Sequence, residues 1–130
     1  KYMNWLDSVS SSLLTKSLDG LWARQQAIQE NIANYETPGY KKKVVSFEEE
    51  LANAISNRKQ TRLETIQKVK QTGVSERIVE EENLRADGNN VDVDKENIEL
   101  ARAQLQYSMA IRQLNDYYSR LRIAITGGVK

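Results

Sequence analysis

Two long stretches, one near each end of the chain, constrain most strongly what this sequence can fold into. Residues 5–35 contain no Pro and a single Gly, and residues 95–126 contain neither. In both stretches apolar side chains recur at alternating steps of four and three residues, which places them on one face of a helix. The sequence therefore predicts two amphipathic helices, each about 45 Å long at 1.5 Å per residue.

The pattern defines one mainly apolar seam on each predicted helix. The first seam consists of Leu14, Leu18, Leu21, Gln25, Ile28, Ile32 and Tyr35, and the second of Leu100, Gln104, Tyr107, Ile111, Leu114, Tyr118, Leu121 and Ile125. The two glutamines either fix the register of a coiled coil or lie at a seam edge with their amides in water. We expect a mainly α fold in which the two long terminal helices form an antiparallel, coiled-coil-like pair.

The ends of both helices have recognisable signals. Asn34 suits a left-handed C-cap, and Pro38 followed by Gly39 fits the middle of a type II turn. Asp94 is the expected N-cap of the second helix, and the glycines at 127–128 are expected to end it. We accordingly divide the chain into an N-terminal helix, a middle segment and a C-terminal helix, at 3–35, 36–93 and 94–126.

The middle segment is predicted to be small and irregular or partly β. Phe47, Leu51, Ala54 and Ile55 have the spacing of a short amphipathic helix. Polar residues follow and predict a solvated linker over 56–65. The elements expected after the linker are two short strands at 66–70 and 74–79, joined near Gly73, and a turn at 87–90.

Charge is unevenly distributed within this middle segment. Residues 58–72 contain five basic residues and one acid, whereas residues 76–96 contain eight acids and three bases. Oppositely charged stretches attract each other, within one molecule or between neighbours, although exposed pairs are individually weak and screened by salt.

The composition argues against catalysis. The chain has no His and no Cys, so it lacks the side chains of most metal sites and nucleophile–base pairs. The acidic runs 48–50 and 80–82 lie in polar surroundings, without the apolar setting that raises the pKa of a carboxylate. The segment at 87–98 does not fit a calcium loop, because glycine is second and Ile98 is twelfth. We therefore expect no enzymatic activity, no catalytic residue, no metal and no cofactor.

The charge balance and hydropathy exclude two further classes. The 19 basic and 18 acidic residues leave a formal charge of +1, far from the basic excess of a nucleic-acid-binding protein. No apolar run approaches the roughly 20 residues of a membrane span, and residues 1–12 lack the apolar core of a secretory signal. We expect no nucleic-acid binding, no membrane insertion and no cleaved signal peptide.

Both helices carry more apolar surface than one pairing can cover. The residues off the seams are Trp5, Leu6, Val9, Leu13 and Trp22 on the first helix and Ile98, Leu105, Met109 and Ile123 on the second. Leaving such side chains in water forfeits on the order of 10 kcal/mol. Partner molecules are therefore expected, unless the middle segment folds back over this surface.

Two motifs resemble one protein family. Residues 31–41, Asn-Ile-Ala-Asn-Tyr-Glu-Thr-Pro-Gly-Tyr-Lys, resemble the N-terminal signature of bacterial flagellar rod and hook proteins. Residues 87–96, Asp-Gly-Asn-Asn-Val-Asp-Val-Asp-Lys-Glu, resemble the C-terminal pattern of the proximal rod proteins in that family, as does the ending at 121–128. The motif positions are Asn31, Asn34, Thr37, Pro38, Gly39, Tyr40, Asp87, Gly88, Asn89, Asn90, Asp92 and Asp94.

The resemblance implies a non-enzymatic structural subunit of the flagellar basal-body rod, on the periplasmic side of the cell envelope. It further implies export by the flagellar type III apparatus without a cleaved signal, other rod subunits and basal-body components as partners, and an oligomer on assembly. In the family the terminal helices pack against those of neighbouring subunits. The expected assembly interface is Leu14, Leu18, Leu21, Ile28, Ile32, Leu100, Tyr107, Ile111, Leu114, Tyr118, Leu121 and Ile125. The alternative is a general helical coiled-coil adaptor or scaffold protein.

Physical roles follow for five of the motif residues. The amides of Asn31 and Asn34 are expected to bond free carbonyls at the helix end. Tyr40 is expected to anchor the outgoing strand on a helix. Asn89 and Asn90 tolerate positive φ and would let the chain reverse into the second helix.

Overall fold

A computed structural model describes residues 8–80 and 84–127 of the chain. The helices are α1 (Val9–Ala33), α2 (Glu48–Ile55), α3 (Arg62–Gln71) and α4 (Val93–Thr126), and the strands are β1 (Lys43–Ser46) and β2 (Ser75–Ile78). Helices account for 66% of the described residues. The predicted fold, mainly α with two packed terminal helices and a partly β middle, is confirmed. No helix in the described ranges has the length and hydropathy needed to cross a bilayer.

The two terminal helices, α1 and α4, pack antiparallel. The side chains of Asn31 and Glu96 meet at one end of the pair, and the rings of Trp22 and Tyr107 lie 6.3 Å apart farther along it. On α1 the predicted seam is largely correct, because Leu21, Gln25 and Ile28 are buried and Leu14, Leu18 and Ile32 are half-buried. Tyr35 lies beyond the helix and is 39% exposed. The amide nitrogen of Gln25 has no hydrogen-bond partner within the described part of the chain.

The seam predicted on α4 is partly wrong. Leu100, Tyr107, Leu114 and Leu121 are half-buried as expected, but Gln104, Ile111, Tyr118 and Ile125 are exposed. Next to Gln104 and Ile111 the preceding residue points inward instead, and these residues, Ala103 and Ala110, are 1% and 8% exposed. Alanine at these positions lets the two helix backbones approach closely, an effect that a search for large apolar residues overlooks.

The helix termini differ in detail from those predicted. Asn34 is the C-cap of α1, but its φ of −102° lies outside the left-handed region. At the start of α4 the N-cap is Asp92, whose side chain accepts from the amide of Lys95, and Asp94 already lies in the first turn. Gly127 ends α4 as expected. The first residues of the predicted N-terminal helix, 3–7, lie outside the described ranges. Ser8, the first described residue, is the N-cap of α1.

The middle segment contains one predicted helix and one that was missed. The short helix around Phe47 to Ile55 is confirmed as α2. The predicted strand at 66–70 is wrong, because these residues belong to α3, which begins inside the predicted linker. Thr61 and Glu64 form a capping box at its start. A five-residue alternation is too short to distinguish a strand from a helix, and the capping box favours the helix.

The predicted hairpin near Gly73 is therefore wrong as well. Its second strand exists as β2, but β2 pairs antiparallel with β1, with Lys43 opposite Ile78 and Ser46 opposite Ser75. The sequence search missed β1 because it begins in a run of lysines.

The core lies between α1 and the middle segment. Val45, Phe47, Leu51 and Val69 are buried together with residues of α1. The Phe47 ring lies so close to Gly20 that no side chain fits there. The middle segment thus covers part of α1 but leaves the outward face of α4 bare.

The predicted surplus of apolar surface is confirmed on α4 and at one position of α1. Ile98, Leu105, Met109 and Ile123 are between 53% and 67% exposed, and Trp22 is 55% exposed. Val9 and Leu13 are half-buried, and residues 5–6 lie outside the described ranges.

Candidate functional site at the joint of the two long helices

The two family motifs, far apart in the sequence, meet in one joint. In the first, the amide of Tyr40 donates to the carbonyl of Thr37 at 3.2 Å, and Gly39 between them has a φ of +74°. This matches the predicted type II turn, whose third residue needs positive φ. In the second motif Gly88 has a φ of +79°. The amide of Gly39 donates to the carbonyl of Asp87 at 2.8 Å, so the two turns lie against each other.

Asn89 closes the joint over the end of α1. The side chain is fully buried, and its amide nitrogen donates to the carbonyls of Asn34, Tyr35 and Thr37 at 2.9, 3.0 and 2.9 Å. Its side-chain oxygen accepts from the amide of Val91 at 2.7 Å. Asn89 therefore adds a second donor to each of these carbonyls, since those of Asn34 and Thr37 also accept from backbone amides and that of Tyr35 accepts from Arg85. Sequence reasoning assigned this residue to chain reversal and missed the role of its side chain.

Asn90 links the joint to the two-stranded sheet. Its side-chain nitrogen donates to the carbonyl of Val79 at 2.6 Å, and its side-chain oxygen accepts from the amide of Lys42 at 2.7 Å. The side chain thus connects the residues that follow β2 and precede β1.

Asn31 ties α1 to β1, to the turn and to α4. Its side-chain oxygen accepts from the amide of Lys43 at 2.8 Å and from the hydroxyl of Tyr40 at 3.0 Å. Its nitrogen donates to the carbonyl of Lys43 at 2.8 Å and to the carboxylate of Glu96 at 3.0 Å. These bonds use every donor and acceptor of the amide. The predicted anchoring by Tyr40 is confirmed, whereas Asn31 bonds a strand rather than its own helix end.

The side chain of Asn34, unlike its backbone, behaves as the sequence predicts. Its side-chain nitrogen donates to the carbonyl of Glu30, one turn back in α1, at 2.8 Å. Its oxygen accepts from the hydroxyl of Thr37 at 3.1 Å. The end of α1 is thus closed from inside by Asn34 and from across the joint by Asn89.

A second side chain of α1 completes the edge of β1. Arg24, seven residues before Asn31 and on the same face of the helix, donates to the carbonyl of Val45 at 2.9 Å and to Glu48 at 2.8 Å. The hydrogen bond from Arg24 lowers the pKa of the Glu48 carboxyl, against the opposing effect of burial. Sequence reasoning did not single out Arg24. Its spacing of seven residues from Asn31 places both side chains on one face of the helix and was the signal that could have identified it.

Several ionisable groups of the joint are perturbed by their neighbours. Burial raises the pKa of the Tyr40 hydroxyl, partly offset by the charge of Lys43. The hydrogen bond from Arg85 lowers the pKa of Asp87, and the amide of Asn89 acts in the same direction. Arg85 also lies over the ring of Tyr35, 4.4 Å from its centroid, and donates to the carbonyl of the same residue.

The remaining contacts of the joint are structural. Lys41 donates to the carbonyl of Gly88, and Pro38 lies exposed in the first turn. Glu96 is 7% exposed, a burial that no sequence signal predicted. Among the described residues no group of three possible ligands is arranged to hold a metal ion.

The groove beside the joint is lined by both positively and negatively charged side chains. Its volume is about 670 Å³, and it is open to solvent. Lys42, Arg85 and Lys95 line it together with Asp92 and Asp94. The joint as a whole resembles a rigid connector, because its buried asparagines bond mainly backbone groups.

The predicted assembly residues fall into two groups. Most of them lie in or beside the contact between α1 and α4, whereas Ile111, Tyr118 and Ile125 are 37%, 46% and 48% exposed. The exposed group is available to another molecule.

Comparison with known proteins finds relatives that match most of the chain, although no family model matches it. The chain is 36% identical over 113 residues to the flagellar basal body rod protein FlgB of Bacillus subtilis, covering 81% of this chain and 84% of that protein. It is 33% identical over 129 residues to FlgB of Borrelia hermsii, covering 90% and 96%. For FlgB of Borreliella burgdorferi the identity is 31% over 120 residues, covering 83% and 89%. These matches favour the rod protein over the general helical adaptor.

Proposed function

The chain belongs to the FlgB family of flagellar basal-body rod proteins, and on this premise we propose that it is a structural subunit of the proximal rod which assembles through its two terminal helices. The observation that carries this assignment is the apolar surface on α4. Ile98, Leu105, Met109 and Ile123 are all more than half exposed. At 3.6 residues per turn they lie within about 40° of one another around the helix axis. We call this row the outer stripe.

A second apolar row runs along the other side of α4. It consists of Ile111, Tyr118 and Ile125, which are seven residues apart and partly exposed. We call it the inner stripe, because it flanks the contact with α1. When a molecule contacts its neighbours through two unlike faces, the contacts continue from copy to copy and generate an open helical array. A rod is such an array.

The joint holds the terminal helices in the geometry that assembly needs. Asn31, Asn89 and Asn90 are between 0% and 6% exposed and are bonded to backbone on both sides of the joint. The angle between α1 and α4 is therefore set before assembly, so less conformational entropy is lost when neighbours bind.

The same premise supports the location and partners of the subunit. In this proposal the protein resides in the basal body, contacts other rod subunits and basal-body components, and has no catalytic role. It reaches that location through the flagellum's own type III export apparatus.

A Leu105→Asp variant tests the assignment in a strain that lacks its own copy of the gene. Leu105 is 64% exposed and points away from α1, so a charge there leaves the fold intact but cannot be buried against a neighbour. We expect electron microscopy to show basal bodies without rods, and we expect cells that do not swim. Gln106→Asp, at the exposed polar neighbour, is the matched control and should restore swimming.

Two results would contradict the proposed function. One is normal swimming of the Leu105→Asp strain with the variant present at the parental level. The other is normal swimming of the strain from which the gene has been deleted.

A further inference from the structure

The two-stranded sheet has one covered edge and one open edge. On the side of α1, the side chain of Asn31 bonds both backbone groups of Lys43, and Arg24 donates to the carbonyl of Val45. Side chains of α1 thus take the place of a third strand beside β1. The other edge of the sheet is β2, and all four of its residues are exposed.

The ladder between β1 and β2 fixes which backbone groups of β2 are open. The amide of Val79 donates to the carbonyl of Lys42 at 3.0 Å, so these two residues form a hydrogen-bonded pair. Hydrogen-bonded and non-hydrogen-bonded pairs alternate along an antiparallel ladder, so every second residue counted back from Val79 bonds β1. The amides and carbonyls of Glu76 and Ile78 therefore point away from β1, and no described residue bonds them.

The open edge also carries apolar side chains. Val74, just before β2, and Ile78, at its end, are 38% and 57% exposed and point to the same face of the sheet. A strand edge with free backbone groups is a template for another strand. Within the described ranges β2 is the only open strand edge, so two copies can join their sheets only from β2 to β2.

We propose that β2 of one copy pairs antiparallel with β2 of a second copy, with Glu76 opposite Glu76. In this register Ile78 lies opposite Val74 of the second copy, so the contact covers the exposed apolar side chains of both. Arg77 lies opposite Ser75 of the second copy, in the more closely spaced, non-hydrogen-bonded arrangement. The result is a four-stranded sheet in the order β1, β2, β2, β1.

Side-chain charges favour this register over its neighbour. The hydroxyl of Ser75 donates to the carboxylate of Glu50 at 3.2 Å, so Arg77 of the second copy comes within reach of that carboxylate. The last turn of α3, with Lys68 and Lys70, lies at the same end, so the attraction is between two side chains and not between oppositely charged surfaces. A register shifted by two residues would place Arg77 opposite Arg77, and like charges directly opposite are destabilising.

The two Glu76 carboxylates at the centre oppose the pairing, but each is already balanced by a cation. Nζ of Lys43 lies 3.5 Å from the Glu76 carboxylate of its own chain. The pairing is two-fold, so it ends in a closed pair and does not continue into a rod. It involves neither stripe of α4 and goes beyond the proposed function, because it is a contact between free subunits.

Nuclear magnetic resonance of the full-length Leu105→Asp variant tests the pairing without competition from the outer stripe. Spectra are recorded from about 0.01 mM to about 1 mM, a range that spans the dissociation constants of small, weak contacts. The amide protons of Glu76 and Ile78 should move downfield as the concentration rises, because they gain hydrogen bonds. The amide proton of Arg77 already bonds β1, so it is the internal control and should move less.

Disulfide formation reads the register, because the chain has no cysteine. In the proposed register, Ser75→Cys in one copy and Arg77→Cys in the other place two thiols directly opposite each other, within disulfide reach. With oxidised glutathione, each variant alone should yield at least about fivefold less disulfide than the mixture, because its own thiols are about 7–8 Å apart along the diagonal. Ser75→Cys mixed with Asn115→Cys, on the exposed side of α4, is the control and should remain at that lower level.

Charge reversal tests the contact between Arg77 and Glu50 in the same mixture. Glu50→Arg in the Arg77→Cys copy should lower the disulfide yield about threefold, because it turns an attractive cross-strand pair into a repulsive one. Arg77→Glu in the Ser75→Cys copy should restore the yield. Thermal unfolding of each variant verifies that the fold is retained.

Three outcomes would overturn the pairing. One is that the amide protons of Glu76 and Ile78 keep their positions at all concentrations. Another is that Arg77→Cys alone forms as much disulfide as the mixture, which would indicate the shifted register. The third is a disulfide yield that does not respond to charge reversal.

Discussion

At the scale of single residues, buried asparagines connect the two long helices. Asn89 serves three carbonyls at the end of α1, and Asn31 uses its whole amide on β1, the turn and α4. A buried amide that loses one of its partners leaves a polar group without compensation, which costs more than the bond itself stabilises. The motif asparagines are therefore the positions at which the joint is most sensitive.

Replacing Asn89 by alanine should lower the free energy of unfolding by about 2–3 kcal/mol, because the buried amide of Val91 loses its acceptor and three carbonyls each lose one of their donors. Urea denaturation of the purified protein measures the change. Asn115→Ala, at an exposed position of α4, is the control and should change stability by less than about 0.5 kcal/mol. Equal stability of the two variants would show that water replaces the Asn89 side chain without cost.

Asp87 should make the joint sensitive to acid. Its pKa is lowered, first by Arg85 and then by the amide of Asn89. Because the folded pKa lies below the unfolded one, the ionised carboxylate stabilises the fold above about pH 4, and this stabilisation is lost as the pH falls through the folded pKa.

The stability advantage of the parent over Asp87→Asn should therefore be constant between about pH 6 and 8 and should shrink below about pH 4. Urea titrations of both proteins at a series of pH values measure it. Because the other carboxylates are common to both proteins, their titration cancels in the difference. A difference that does not change with pH would rule out the contribution of Asp87.

At the scale of elements, α1 is the scaffold on which the middle segment is built. Its side chains Arg24 and Asn31 bond the outer edge of β1, and Gly20 admits the ring of Phe47. The absence of a side chain at Gly20 therefore lets the residue before α2 pack directly on the α1 backbone.

Gly20→Ala should destabilise the protein by about 1–3 kcal/mol, because the added methyl group overlaps the Phe47 ring and forces it to move. This exceeds the gain of up to about 1 kcal/mol that alanine brings to a helix. Gly73→Ala is the matched control, since no atom lies near its added methyl group. Thermal unfolding should give a lower Tm for Gly20→Ala than for Gly73→Ala. A Gly20→Ala variant that is more stable than the parent would mean that the Phe47 ring moves aside without cost.

The elements that the sequence predicts well are those whose own side chains specify them. α1, α2 and α4 have long or clear periodicity and were found. β1 and α3 were missed, since β1 depends on hydrogen bonds from α1, and the short apolar run of α3 is ambiguous between helix and strand. In the joint, the partners of Asn31 and Asn89 are distant in sequence, so the sequence did not predict them.

At the scale of the whole molecule, the two apolar stripes of α4 point in different directions. The outer stripe is opposite the α1 contact and the inner stripe flanks it. Contacts between unlike faces propagate, whereas contacts between like faces end in a closed pair.

Two variants, each with one stripe disrupted, should therefore associate with each other as dimers but form no larger assembly. Leu105→Asp disrupts the outer stripe and Ile111→Asp the inner one, and both residues are exposed. Each variant alone should be monomeric in analytical ultracentrifugation at concentrations where the parent associates. A mixture should form one-to-one dimers and nothing larger. Self-association of Ile111→Asp alone would indicate a contact between two outer stripes and contradict the head-to-tail arrangement.

The sequence by itself determined the two long helices, their surplus of apolar surface and the family, because periodicity and motifs are local properties of the chain. The tertiary structure decided which side of α4 faces α1, which strand pairs with β2 and which carbonyls the buried asparagines serve. These depend on the close approach of small residues and on hydrogen bonds between distant segments, and neither leaves a periodic trace in the sequence.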